Sequence, residues 1–207
     1  MEKFKKTLRG YDPDDVNKFL DQVIEKVETM VNEIKLKDNK IVITVMSNLG
    51  LKKLLERKGL SYEEVGVGDK YVQAKLKEKH LSLGGEQSGH VIFNEDLNTG
   101  DGMLTAIHTL NVIAAENASL KQLNADFVKY PQVLQNVGVS NKEAIMENED
   151  LKSRIKALEA SLNGDGRILV RPSGTEQLVR VMVEAKDIVT CKEIAGELVS
   201  FINELSY

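Results

Sequence analysis

Between residues 16 and 34, apolar side chains recur at Val16, Leu20, Val23, Val27, Met30 and Ile34, with spacings of 4, 3, 4, 3 and 4. That period keeps one helix face apolar and predicts a coiled-coil seam, which Phe19, Ile24 and Val31 widen. A helix start precedes it: Asp12 as N-cap, Pro13 at the first helical position, Asp14 and Asp15 in the first turn. A helix packed on its own domain has the same periodicity, but the polar flanks favour a homodimer through residues 16–34. The seam covers fewer than three heptads, so its stability in isolation is marginal.

After residue 38 the grammar changes. Residues 40–46 form a β-branched run that predicts a strand. Residues 49–58 predict a short amphipathic helix ended by Gly59, and residues 62–67 a second strand. Helix 69–79, strand 91–93 and helix 102–115 follow, with Asp101 as cap of the last. This alternation is α/β. Beyond residue 118 the order is strand 133–139, helix 142–162, strand 167–171, strand 178–185 and helix 188–205. Two consecutive strands across a tight loop mark a small α+β domain. The expected organisation is therefore a coiled-coil segment (1–38), an α/β domain (39–118) and an α+β domain (119–207).

The chain of 207 residues carries 28 basic and 32 acidic groups, a net charge of −4, with no basic stripe to neutralise phosphates. No nucleic-acid partner is expected. The single Cys191 excludes an intramolecular disulfide and a cysteine-rich zinc site, and suits a reducing cytoplasm; it falls on the apolar side of the last helix. The three histidines, His80, His90 and His108, have no paired metal-binding spacing. Asp12, Asp14 and Asp15 resemble a metal cluster but sit where a helix N-terminus favours negative charge, so no metal ligands are assigned. No apolar stretch approaches the roughly 18–20 residues that span a bilayer. The expected location is cytoplasmic, with at most a peripheral membrane contact.

Two loops carry chemistry. Arg171-Pro172-Ser173-Gly174-Thr175-Glu176 lies between two strands and offers a guanidinium, two hydroxyls, backbone amides and a glycine for a tight turn. These are the parts of a phosphate cradle. On residue types alone, that reading and an ordinary hairpin turn with an exposed arginine stand level. Gly84-Gly85-Glu86-Gln87-Ser88-Gly89-His90 lacks the spacing of a dinucleotide fingerprint. Glu86, Ser88 and His90 suit the vicinal hydroxyls of a sugar, although spacing alone favours a polar turn. Ser47, Ser88 and Ser173 have no neighbouring base signature, so no catalytic nucleophile is assigned.

Those motifs resemble a known family. Thr44-Val45-Met46-Ser47-Asn48-Leu49-Gly50, Val67-Gly68-Asp69-Lys70-Tyr71, the loop from Gly84 to His90, and Asn98 to Gly102 are similar to the third domain of bacterial phosphoglucosamine mutases, which are α-D-phosphohexomutases. Pro131 to Leu134, Arg171 to Glu176 and Leu178 to Ala185 resemble the fourth domain. The resemblance covers about residues 36–207 and implies that residues 39–118 are a truncated third domain without its opening strand. It implies an isomerase that interconverts glucosamine 6-phosphate and glucosamine 1-phosphate for peptidoglycan precursors, using magnesium and a phosphoserine. It implies that Glu86, Ser88 and His90 hold sugar hydroxyls, and that Arg171, Ser173, Gly174 and Thr175 grip the phosphate not being transferred. The nucleophile motif Thr-Ala-Ser-His-Asn-Pro and the magnesium loop Asp-x-Asp-x-Asp-Arg occur nowhere in the 207 residues. The expected chain therefore binds a hexosamine phosphate, retains no cofactor and is catalytically incomplete, unless another chain supplies the missing parts. Lys70 stands where the family has arginine, and Gln177 where it has proline.

The first 35 or so residues resemble a different family, the DivIVA-type cell-division and polar-growth proteins, through Arg9-Gly10-Tyr11-Asp12 and the helix carrying Val16, Phe19 and Leu20. That resemblance implies a membrane contact at Leu8 and Arg9 and docking of division-machinery partners by a helical dimer. One leucine and one arginine per chain anchor weakly, so binding depends on assembly. The alternative function is a non-enzymatic coiled-coil adaptor. Replacing Leu20 and Val27 together by Asp is expected to convert a dimer to monomer in sedimentation; an unchanged mass overturns the seam.

Overall fold

The computed structural model describes residues 6–7, 10–11 and 36–206. By contact the chain forms two units, one of residues 1–47 with 55–126, the other of residues 48–54 with 127–207. The coiled-coil seam, its expected dimer, and Leu8 and Arg9 lie outside the described residues.

In the first unit, β1 (Lys6–Thr7) and β2 (Gly10–Tyr11) form a short antiparallel pair. The β-branched run produces β3 (Lys40–Thr44), which pairs in parallel with β4 (Ser61–Val65) and β5 (Leu83–Gly85). Strand β6 (Val91–Phe93) closes the sheet antiparallel to β5, giving the order β4-β3-β5-β6. The helices are α1 (Leu49–Arg57), whose residues 49–54 group with the second unit, then α2 (Asp69–Lys79), α3 (Gly102–Glu116) and α4 (Leu120–Leu123). Val42 of β3, Val72 and Leu76 of α2, Leu81 and Ile92 form the core.

Two of these elements had no sequence signature. Strand β5 is hidden because two of its three residues are glycines, which have poor strand propensity. Gly84 is required by packing: a Cβ there would lie 2.7 Å from Val72 Cγ1 and 3.1 Å from Val42. Helix α4 is one turn, closed by a capping box in which Ser119 accepts from Gln122 N–H and the Gln122 side chain accepts from Ser119 N–H. Asp101 caps α3 as the sequence indicates, accepting from Leu104 N–H at 2.7 Å. The first strand ends at Thr44 rather than 46, because the chain turns there: Ser47 N–H donates to Thr44 O at 2.9 Å.

In the second unit, β7 (Gln132–Gly138), β8 (Gly166–Pro172) and β9 (Leu178–Ala185) form an antiparallel sheet with β9 central. The predicted helix 142–162 is two helices, α5 (Lys142–Glu147) and α6 (Glu149–Ser161). The break is Asn148, an N-cap whose side chain accepts from Leu151 N–H at 2.8 Å, which an apolar period does not reveal. Helix α7 (Ile188–Leu205) is capped by Asp187 and packs Cys191, Ala195, Leu198 and Ile202 against Val179, Val181 and Val183 of β9. Cys191 is buried core, with its thiol pushed up by burial.

The opposite face of β9 carries Arg180, Met182 and Glu184. Glu184 is fully buried, and its carboxylate accepts from Arg167 Nε at 2.6 Å, Asn48 Nδ2 at 3.0 Å and Leu49 N–H at 2.9 Å. These bonds, with Tyr130 N–H donating to Asn48 Oδ1 at 3.0 Å, explain why residues 48–54 group with residues 127–207. Gly50 is needed there because a Cβ would fall 1.9 Å from Val128 O. Replacing Glu184 by Ala removes three hydrogen bonds at once, those from Arg167 Nε, Asn48 Nδ2 and Leu49 N–H. A loss of about 3–5 kcal/mol is expected in urea unfolding, the scale found when one partner of a buried charge pair is removed.

Asp165 lies between Lys186 Nζ at 2.6 Å and Lys53 Nζ at 2.7 Å. Lys186 first and Lys53 second hold its carboxyl far below the usual aspartate range. A depressed carboxylate stabilises the fold above the unfolded-state value of about 4 and loses that contribution as pH falls through the lower folded value. Asp165→Asn is therefore expected to melt below the parent at neutral pH. The gap should narrow as the buffer is taken below about pH 3, measured by thermal melts.

Candidate phosphate-binding site

The loop between β8 and β9 is held at both ends. Ser173 N–H donates to Leu178 O at 2.9 Å, and Val139 N–H donates to Gln177 O at 3.3 Å. Lys142 Nζ, at the start of α5, donates to Ser173 O at 2.9 Å, and Gln177 Nε2 donates to Ser140 O at 3.1 Å. Ser173 is buried, with its Oγ accepting from Glu176 N–H at 3.3 Å. Of the four residues assigned to the phosphate from sequence, Ser173 thus first shapes the loop. Gly174 and Thr175 are exposed at its tip, and their amides have no partner among the described residues.

Arg171, the last-but-one residue of β8, is half-buried and has no ion pair or hydrogen-bond partner among the described residues. Directly across the ladder stands Arg180 of β9. Burial, and the neighbouring Arg180 charge, push the Arg171 guanidinium below its ordinary value. Such a site favours an anion: one unpaired guanidinium, a second beside it, and free amides at an exposed tip.

The sugar-loop candidates sit in the β5–β6 hairpin, where Gly85 pairs with Val91. Glu86 N–H donates to His90 O at 2.9 Å, and Gly89 turns the loop at φ +99°. The Glu86 side chain is only 8% exposed, and its Oε1 accepts from Gly68 N–H at 2.8 Å beside the start of α2. Glu86 thus anchors its loop as well as offering Oε2. Ser88 Oγ and His90 Nδ1 lie 3.0 Å apart, a contact that residue spacing did not signal. The Glu86 Oε2 lies 3.9 Å from the same Nδ1, so the ring is not relayed between two groups and this is no nucleophile triad. Both Ser88 and His90 are exposed.

Sequence reasoning gave no site role to Arg180 or Lys142, and placed Glu176 in the loop without a task. The strand register sets Arg180 opposite Arg171, and the start of α5 brings Lys142 to Ser173 O. Among the described residues no group of three or more His, Cys, Asp or Glu could hold a metal ion. Among them, no helix is long and apolar enough to cross a membrane.

Comparison with known proteins agrees with this architecture. Residues 21–130 match the phosphoglucomutase/phosphomannomutase alpha/beta/alpha domain III, and residues 134–200 match the C-terminal domain of the same proteins. The chain belongs to the phosphoglucomutase/phosphomannomutase family. It is 49% identical over 172 residues to phosphoglucosamine mutase of Bacillus pumilus, covering 83% of this chain and 38% of that protein. It is 48% identical over 171 residues to phosphoglucosamine mutase of Bacillus subtilis, with the same shares. The chain thus spans under two fifths of the length of these relatives. The crystal structure of Aspergillus fumigatus N-acetylphosphoglucosamine mutase with GlcNAc-6P and magnesium shares the fold at a TM-score of 0.67 and 18% identity, over 89% of this chain and 42% of that one. The domain III match begins at residue 21, within the residues expected to form a separate coiled-coil segment.

Proposed function

We propose that this chain is a phosphoglucosamine-mutase-like protein that binds a hexosamine phosphate and does not turn it over alone. The observation that carries this reading is the unpaired, half-buried Arg171 at the base of a loop whose tip amides are free. Arg171 forks onto two phosphate oxygens, and the amides of Gly174 and Thr175, with the Thr175 hydroxyl, take the rest. Glu86, Ser88 and His90 receive sugar hydroxyls. The grip supplies positioning, which phosphoryl transfer requires alongside charge neutralisation. The 207 residues contain neither the serine motif nor the aspartate-rich magnesium loop, so transfer by this chain needs groups from elsewhere. In this reading magnesium belongs with those groups and the protein works in the cytoplasm.

A second reading rests on Arg9-Gly10-Tyr11-Asp12 and the apolar ladder from Val16 to Ile34. It makes the chain a dimeric adaptor of the DivIVA type, with Leu8 and Arg9 at a membrane surface and division proteins as partners.

The test is thermal protection by glucosamine 6-phosphate, with turnover followed in a coupled assay containing magnesium and a hexose bisphosphate. Protection without turnover is expected, and Arg171→Ala should abolish protection while leaving the unliganded melt within a few degrees. Protection that survives this substitution overturns the phosphate assignment, and turnover overturns the incomplete-enzyme reading.

A further inference from the structure

The two ends of the polar face on β9 are charged in opposite ways. At one end Glu184 stands opposite Arg167 and Gln132; at the other, Arg180 stands opposite Arg171 and Asn136. The first row is internally neutralised by the Arg167–Glu184 pair. The second holds two guanidinium groups and no acid. Like charges directly across a ladder repel, so an arginine pair without an acid in its row calls for an anion from outside that row.

Part of that anion is supplied locally. Arg180 Nη2 donates to Glu176 Oε2 at 3.2 Å, from a carboxylate 57% exposed at the edge of the phosphate loop. The bond is long for a charge-assisted pair. Arg180 Nε, buried, has no partner among the described residues. A guanidinium held by one long bond to an exposed acid, with a buried donor unspent, is incompletely satisfied. The Glu176 amide meanwhile fixes the loop through Ser173 Oγ at 3.3 Å, so the backbone stays in place if the side chain leaves.

Resting on the phosphate-binding reading above, we propose that Glu176 is an internal stand-in for the ligand. Its carboxylate occupies Arg180 when the loop is empty and is displaced when a phosphate dianion takes both Arg171 and Arg180. Glu176 is then a competitor that sets the affinity. Two guanidinium groups favour a dianion over a monoanion such as a carboxylate, which cannot engage Arg171 and also displace Glu176 from Arg180.

The full chain is titrated calorimetrically with inorganic phosphate and with glucosamine 6-phosphate. Glu176→Gln keeps the side-chain size and removes the competing charge, so binding should tighten by about three- to tenfold. Arg180→Ala should weaken it about tenfold or more, and Arg180→Lys severalfold, a fallback if the alanine variant folds poorly. In the Arg180→Ala background, Glu176→Gln should have no effect, because the competition runs through Arg180. No tightening in Glu176→Gln overturns the proposal, and so does equal tightening with Arg180 absent, which would mean simple repulsion between Glu176 and the ligand. Arg171→Ala separates the two levels. If phosphate still binds that variant, the site itself is wrong; if it does not, and Glu176→Gln is neutral, only the stand-in role fails.

Discussion

Strand β9 lies between β7 and β8 in a continuous antiparallel register, and the positions of the charged side chains of this unit depend on that register. The strand period is two, so a slip of one residue would carry Arg180 and Glu184 into the apolar core under α7 and turn Val181 and Val183 out of it. The apolar face therefore locks the polar face. Four valine and alanine positions, Val179, Val181, Val183 and Ala185, are all at most 1% exposed, and their burial fixes which residue faces Arg171. Burial of this kind contributes on the order of 1.5–3 kcal/mol per large aliphatic side chain, enough to hold two arginines side by side.

The same register makes the unit's two polar rows differ in purpose. Glu184 is spent internally: three donors converge on a carboxylate with no access to solvent, and it joins residues 48–49 to the sheet. A buried pair of this kind specifies an arrangement more than it adds stability. The Arg171–Arg180 row, beside the loop, is left short of negative charge. Structural charge is thus satisfied where the chain packs, and unsatisfied where a hairpin opens to solvent.

Much of this was legible in the sequence. Strong periodicity marked β3, α2, α3, β9 and α7 closely, because long apolar patterns survive tertiary context. Elements written in glycine, in caps or in single turns were not legible: β5 is mostly glycine, α4 is one capped turn, and Asn148 divides α5 from α6 without breaking the apolar count. The phosphate loop was read from residue types and a resemblance, which named Arg171, Ser173, Gly174 and Thr175 but could not assign their tasks. Ser173 turned out to be buried and committed to Glu176 N–H, and Glu86 to Gly68 N–H. Arg180 was visible only as one polar position in a strand, since pairing partners in a sheet are not encoded by local spacing.

The phosphate grip proposed above is local. Arg171, Gly174, Thr175, Glu176 and Arg180 fall within one hairpin, and Lys142 fixes the loop from a neighbouring helix of the same unit. Transfer chemistry has no such economy: it requires a nucleophile, a metal and two reacting groups brought together in line. Binding energy from a remote phosphate lowers a barrier only when the reacting centre is present to use it. On the reading proposed above, a chain with the phosphate grip and the sugar loop but without the serine motif retains recognition as a property separable from turnover. Each of the two loops is fixed by its own short hairpin, which is what makes that separation physically possible.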